Sequence, residues 1–194
     1  MKILISFVLT LFLLGSSLMA QPNIEWQRCL GGTASDDHPY LTRTSDGGFV
    51  SVSMTSSNDG DVVGNHGSND FWLIKFNSEG DTEWKKTYGG TKSDSPSEVI
   101  QTPDGGYLMV GNSQSNNGDV SINRGQNDFW VVKTDGSGNL QWQKTYGGSK
   151  LDAADIVIAA PDGGYLVAGV TQSQNGDVLG FIGLSYFVSS SMKN

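Results

Sequence analysis

Thr102-Pro103-Asp104-Gly105-Gly106-Tyr107-Leu108-Met109-Val110-Gly111 decides the fold. Pro103 presets φ and the glycines accept positive φ, so Pro103–Gly106 is a tight hairpin turn. Tyr107 to Gly111 is apolar on both alternating faces, the mark of a strand covered on both sides. Upstream, Glu98-Val99-Ile100-Gln101-Thr102 is the other arm of the hairpin. Downstream, Asn112 to Asn127 is a polar stretch rich in Asn, Ser and Gly. Asp128-Phe129-Trp130-Val131-Val132-Lys133 then forms a second doubly apolar strand, and Thr134 to Asn139 a turn. Leu140 to Tyr146 closes the unit. Leu140, Trp142 and Tyr146 share one face with Lys144, and Gln141, Gln143 and Thr145 share the other, so this strand has one side open to water. Trp84 and Tyr88 oppose Glu83, Lys85 and Thr87 in the same way.

The unit recurs every 58 residues without a gap. Trp26, Trp84 and Trp142 keep this spacing, as do Gly31-Gly32, Gly89-Gly90 and Gly147-Gly148. So do Asp46-Gly47-Gly48, Asp104-Gly105-Gly106 and Asp162-Gly163-Gly164, and so do Gly60-Asp61, Gly118-Asp119 and Gly176-Asp177. A period of this length means one supersecondary unit used repeatedly. No stretch after residue 20 has a helical period of useful length. Four-stranded units that bury both faces stack on copies of themselves, as propeller blades do. A parallel β-helix is the rival, but its coils are shorter and hairpin turns do not suit it.

The expected fold is therefore all-β, a β-propeller-type repeat of four-stranded antiparallel blades, with three blades in an incomplete or open ring. The blades span about 39–88, 97–146 and 155–192 within a repeat region 21–194. The third unit is eroded: Tyr186-Phe187-Val188 stands where Asp128-Phe129-Trp130 stands in the second, Ser191 replaces Lys133, and no fourth strand follows. An extra copy of the closing strand, Ile24 to Leu30, precedes the first unit and is positioned to complete the last blade. Propellers usually have about 4–8 blades, so the expectation is a fragment of a larger protein, with assembly of several chains as the alternative.

Residues 1–20 are expected to be a cleaved export signal: Lys2, then an apolar run from Ile3 to Leu14, then a small-residue region ending at Ala20. The expected location is secreted or at the cell surface, with no membrane span after cleavage. Cleavage there leaves 174 of the 194 residues, three times 58, with 11 Lys and Arg against 20 Asp and Glu. That net charge of −9 argues against nucleic acid or an anionic membrane as partner. Cys29 is the single cysteine, so there is no internal disulfide framework. Its counterparts are Thr87 and Thr145, which marks it as a small strand residue rather than part of a repeated device.

Written out as W-x(4)-GG, DGG-[FY], GDV and DFWxxK, the chain resembles the β-propeller repeat families of secreted bacterial surface proteins. The resemblance covers residues 24–178. It implies a repeated scaffold and says almost nothing of activity. Gly80 precedes Trp84 by four residues, as Gly138 precedes Trp142. These turns are similar to the tryptophan-docking turn of quinone-type propellers, a likeness of packing that implies no quinone.

Two sets of residues are candidates for binding. Asn58-Asp59-Gly60-Asp61, Asn116-Asn117-Gly118-Asp119 and Gln174-Asn175-Gly176-Asp177 group oxygens around a glycine, which makes Asp59, Asp61, Asp119 and Asp177 candidate calcium ligands. The competing reading is an Asx-type turn, because no bidentate Glu follows. Trp26, Trp84 and Trp142, with Tyr88 and Tyr146, form a ladder whose rings either stack on sugar faces or pack between blades. Asp36, Asp94 and Asp152, and likewise Asp70 and Asp128, read as acceptors of backbone hydrogen bonds. His38 and His66, unrepeated, read as ordinary solvent-facing residues. Identical carboxylates in identical units make a poor acid–base pair, and no nucleophile triad, phosphate loop or zinc spacing occurs. No catalytic residue and no cofactor is expected. The expected function is a non-enzymatic scaffold or interaction module that binds protein or surface polysaccharide, with self-association through open blade faces. A carbohydrate-binding propeller, calcium-assisted, is the alternative. Part of an exported hydrolase comes third.

Overall fold

The computed structural model describes residues 23–178 and 185–189, the last five as backbone. The expected export signal, residues 1–20, and the end of the third unit lie outside the described residues. Within them the protein is all-β. The first antiparallel sheet holds β1 (Asp36–Arg43), β2 (Phe49–Thr55), β3 (Asp70–Phe76) and β4 (Thr82–Tyr88) in sequence order. The second holds β5 (Asp94–Gln101), β6 (Tyr107–Ser113), β7 (Asp128–Thr134) and β8 (Leu140–Tyr146). The third holds β9 (Asp152–Ala159), β10 (Tyr165–Thr171) and β11 (Ser185–Ser189), with β10 in the middle. All three sheets are open, and no ring closes among the described residues.

The turns are those the residues demand. At Thr102–Gly106 the Gly105 amide donates to Thr102 O (2.9 Å) and the Thr102 amide to Gly106 O (2.9 Å). Gly105 takes φ +83°, the left-handed position that closes a type I turn in a short hairpin. The same bonds recur at Thr44–Gly48 and Ala160–Gly164.

The first strand of each unit starts earlier than its apolar run suggests. Asp36, Asp94 and Asp152 are its first residues, followed in β1 and β5 by a bulge at Asp37/Tyr40 and Pro96/Glu98. The bulge tolerates Pro96 inside a strand. It also holds His38 at φ +53°, solvent-exposed as expected, with its ring 2.6 Å from Asp37 Oδ1.

The sheets stack face to face. Val50, Val52, Phe71 and Leu73 of the first meet Val99, Tyr107, Met109, Trp130 and Val132 of the second. Leu108, Val110, Phe129 and Val131 of the second meet Ala154, Val157, Tyr165 and Val167 of the third. Middle strands β2, β3, β6 and β7 are buried on both faces, which is why their sequences lack alternation, whereas β10 alternates buried and half-buried residues. Outer strands β4 and β8 are half exposed, with two departures: Thr145, on the side read as facing water, is buried, and Leu140, on the apolar side, is exposed.

Candidate functional site

The glycine-aspartate loops and the double glycines turn out to be two halves of one clip. The Asp61 amide donates to Gly31 O (2.9 Å), and the Gly31 amide returns a bond to Asp61 Oδ2 (3.3 Å). Asp59 accepts from the Thr33 amide (2.8 Å) and hydroxyl (2.8 Å). Asp119 and Gly89 repeat the exchange, as do Asp177 and Gly147. A side chain at Gly60 or Gly118 would strike the facing glycine's carbonyl, so only glycine lets the two backbones meet. The four calcium candidates therefore already hold protein donors. Two of them also face cations, Asp61 at 2.6 Å from Lys85 and Asp177 at 3.0 Å from Arg124. Among the described residues no three His, Cys, Asp or Glu side chains gather to hold a metal ion.

Beside each clip lies a carboxylate, buried at Asp94 and Asp152 and half-buried at Asp36. Asp94 accepts from the Gly90 amide (2.8 Å), from Ser115 Oγ (2.8 Å) and from Ser113 Oγ. Asp36 and Asp152 do the same through Thr55 and Ser57, and Thr171 and Ser173. Asp70 and Asp128 approach from the preceding unit. Asp70 Oδ2 accepts from the His66 amide (2.8 Å) and faces the His66 ring (2.6 Å), so His66, exposed to solvent as expected, also pairs with the buried carboxylate. Arg124, its counterpart, donates its amide to Asp128 Oδ2 (2.9 Å). The second oxygen of Asp70 and of Asp128 is buried with no hydrogen-bond partner. Burial pushes the carboxyls of Asp70, Asp94 and Asp128 up from the ordinary carboxylate range.

Two buried lysines escaped the sequence reading. Lys75 Nζ meets Asp46 and Glu83, each at 2.9 Å, and donates to Phe76 O (2.9 Å). Lys133 Nζ meets Asp104 (2.9 Å), Gln141 Oε1 (3.0 Å) and Thr134 O (2.7 Å). Both tie the hairpin turn between the first two strands of their sheet to its third strand. The Thr102 hydroxyl, then Lys133, bring the Asp104 carboxyl down to about 2. The available signal was a lone Lys in an otherwise apolar strand, the same distance after the Asp-Gly-Gly turn in both units.

The tryptophans pack. Trp84 lies on Gly138, the turn glycine of the second sheet, and on Tyr107 at 5.7 Å between ring centroids. Trp142 packs at the edge of the cluster between the second and third sheets. Trp26 makes the same contact one unit earlier, on Gly80 and on Phe49 at 6.0 Å, with Arg28 paired to Asp81 at 2.6 Å. Ile24–Leu30 thus sits where the outer strand of a preceding unit would sit. It forms no strand, however, and Cys29 within it is exposed.

No family model matches this chain, and no curated protein matches it significantly.

The outer face of the first sheet is left open. A groove of about 390 Å³ runs over it, lined by Trp26, Arg28, Pro39, Leu41, Trp72 and Phe76 among others. Leu41 is 61% exposed there, whereas Val99 and Val157, its counterparts 58 and 116 residues on, are 2% and 1% exposed. The groove combines apolar wall with the Arg28 guanidinium and the Asp36 and Asp37 carboxylates. Asp37 is held low by hydrogen bonds from His38 and Ser35.

Proposed function

We propose that this protein is an exported, non-catalytic interaction module of propeller-type blades in an open arc, acting at the cell surface or in the secreted fraction. Its binding surface is the groove on the first sheet rather than the loops, whose polar groups are spent on the clips. The exposure of Leu41, in a position that is buried wherever a neighbouring sheet is present, carries this reading. Large exposed apolar surface with a polar rim marks an interaction site. Recovery of the chain on the envelopes of exporting cells tests it. Leu41→Glu is expected to abolish retention, and Val63→Glu, more exposed but outside the groove, is expected to leave it intact. Equal retention of both variants refutes the reading.

A carbohydrate ligand is the second reading, favoured by Trp26. Alone of the three ladder tryptophans it is exposed, at 37%, and it lines the groove beside Arg28 and Asp37. Glycan-array binding lost in Trp26→Ala would support it, and an array blank for the wild-type chain would end it.

A further inference from the structure

Each end of the described stack carries half of a junction whose complete form is visible between the first and second sheets. In the complete form, an outer strand (β4 or β8) hydrogen-bonds to the third strand of its sheet. At the first junction the β4 tryptophan also seats on the turn glycine of the next sheet, Trp84 on Gly138. At the start of the chain, Ile24–Leu30 has the second contact, Trp26 on Gly80, without the first: it lies in no strand ladder. At the other end, β11 is a third strand that pairs with β10 on one edge and with nothing on the other among the described residues. The faces match in the same sense. The first sheet exposes Leu41 at 61%, and the third exposes Ile158 at 52%, where its counterpart Ile100 packs against the cluster between the second and third sheets.

We propose that copies of this chain associate head to tail. β11 of one copy pairs along its free edge with Ile24–Leu30 of the next, and the third sheet of the first copy covers the groove of the second. A four-stranded sheet is then completed across two chains, three strands from one and one from the other. Such a contact is heterologous, because the two surfaces that meet are different. It recruits an unpaired edge of the kind that accepts an added strand. This partner assignment rests on reading the groove as an interaction surface.

The internal sheets fix the register. Trp72 pairs with Thr87 and Trp130 with Thr145. Carried forward through the repeat, that register sets Val188 of β11 opposite Cys29 of the neighbouring copy. Cys29 is the single cysteine and is exposed, so it serves as a reporter. Val188→Cys, oxidised and run on a non-reducing gel, is expected to give dimers and higher multiples, at about tenfold the yield of Val63→Cys, which places a thiol on an exposed loop. Wild-type chain in the ultracentrifuge is expected to exceed the monomer mass at about 100 µM, well above the dissociation constants of standard-size interfaces. Leu41→Glu, and Gln27→Pro, which removes an edge amide, are each expected to weaken association about tenfold or more. A wild-type chain that stays monomeric with native circular dichroism overturns the proposal, and so does cross-linking no better for Val188→Cys than for Val63→Cys. A monomer that still needs Leu41 for envelope retention would sink this inference alone and leave the interaction-module reading standing.

Discussion

The junction between the first and second sheets and the open face of the first sheet are built from the same repeat positions, yet they differ in what those positions do. At the junction, Phe71 and Trp130 stack at 4.7 Å, Val99 is sealed, and the Tyr88 hydroxyl reaches Gly138 O at 2.5 Å. On the open face, Leu41 stands in the place of Val99 with 61% exposure, and only Trp26, Leu30 and Phe49 lean over Trp72. Burial at the Leu41 and Val99 position is thus set by the neighbouring unit and not by the residue, whereas Trp72, Ile74 and Phe76 stay buried on the open face against Val62, Leu30 and Phe49. A repeat that hides its surfaces only by stacking leaves them bare wherever the stack stops.

The most damaging change is expected at the centre of the junction. Trp130→Ala removes the largest fully buried side chain and its hydrogen bond to Gln143. It should cost about 3–5 kcal/mol, as large aromatic truncations in cores do. Denaturant unfolding measures this. A loss under about 1 kcal/mol would mean that the sheets barely lean on one another.

Next come the turn glycines. Gly138→Ala meets two penalties: φ +75°, and a Trp84 ring that the new methyl would approach to 2.8 Å. Together these should cost about 2–4 kcal/mol. Gly105→Ala has φ +83° with nothing within 4 Å, so it carries only the conformational cost of about 1–2 kcal/mol. The difference between the two variants isolates the docking of Trp84. Gly80→Ala, at the open end, presses on the exposed Trp26, which has solvent to move into, and should fall nearer Gly105→Ala.

Much of this architecture could be read from residue patterns. The Pro-Asp-Gly-Gly turn, the doubly apolar strands and the 58-residue spacing gave the strands, their antiparallel order and the four-stranded unit. The clip was harder. Asp119 and Gly89 both stood out as repeated, but they are 30 residues apart and nothing local says that they exchange hydrogen bonds. Read by itself, the loop offered an Asx-type turn that caps backbone amides or a weak calcium site; it did not show that the amides belong to the double glycine 30 residues away. Lys75 and Lys133 hid for a similar reason, because burying a lysine is justified only by Asp46 and Asp104 across the sheet. The eroded end of the third unit still forms β11, since backbone pairing with β10 does not need the lost Asp-Phe-Trp side chains. The groove was foreseen as an open face and not as a site, because exposure depends on a neighbour that a single unit cannot specify.

Acidity should act on the junctions in two opposed ways. Asp70, Asp94 and Asp128 are raised by burial, so between the ordinary carboxylate value of 3.8 and their folded values the native state binds more protons than the unfolded chain. Stability from these groups is largest at low pH and is lost as pH rises through that window. Asp46 and Asp104 are lowered, by Thr44 and Lys75 and by Thr102 and Lys133 respectively, so their contribution is present above that value and lost as pH falls below it. The melting temperature should therefore rise on acidification from neutrality and fall once the turn aspartates protonate. Asp70→Asn and Asp128→Asn together should flatten the rise and leave the acid-side fall in place. A profile unchanged in the double variant would show that these carboxyls do not sense the junction.

The smallest expected effect is the most informative about the open face. Val99→Ala empties a sealed site and should cost about 2 kcal/mol. Leu41→Ala removes a larger side chain from the same repeat position, yet in the dilute single chain it should fall within about 0.5 kcal/mol of wild type, because most of that side chain is already in water. Raising the protein concentration then separates two pictures. If the groove is covered by a second copy, the Leu41→Ala penalty grows with concentration toward that of Val99→Ala, since association adds its own free energy to the stability of the folded chain. If the face stays bare at every concentration, the two variants keep the same gap throughout a chemical-denaturation series, and the contrast between the ends and the middle of the stack is permanent.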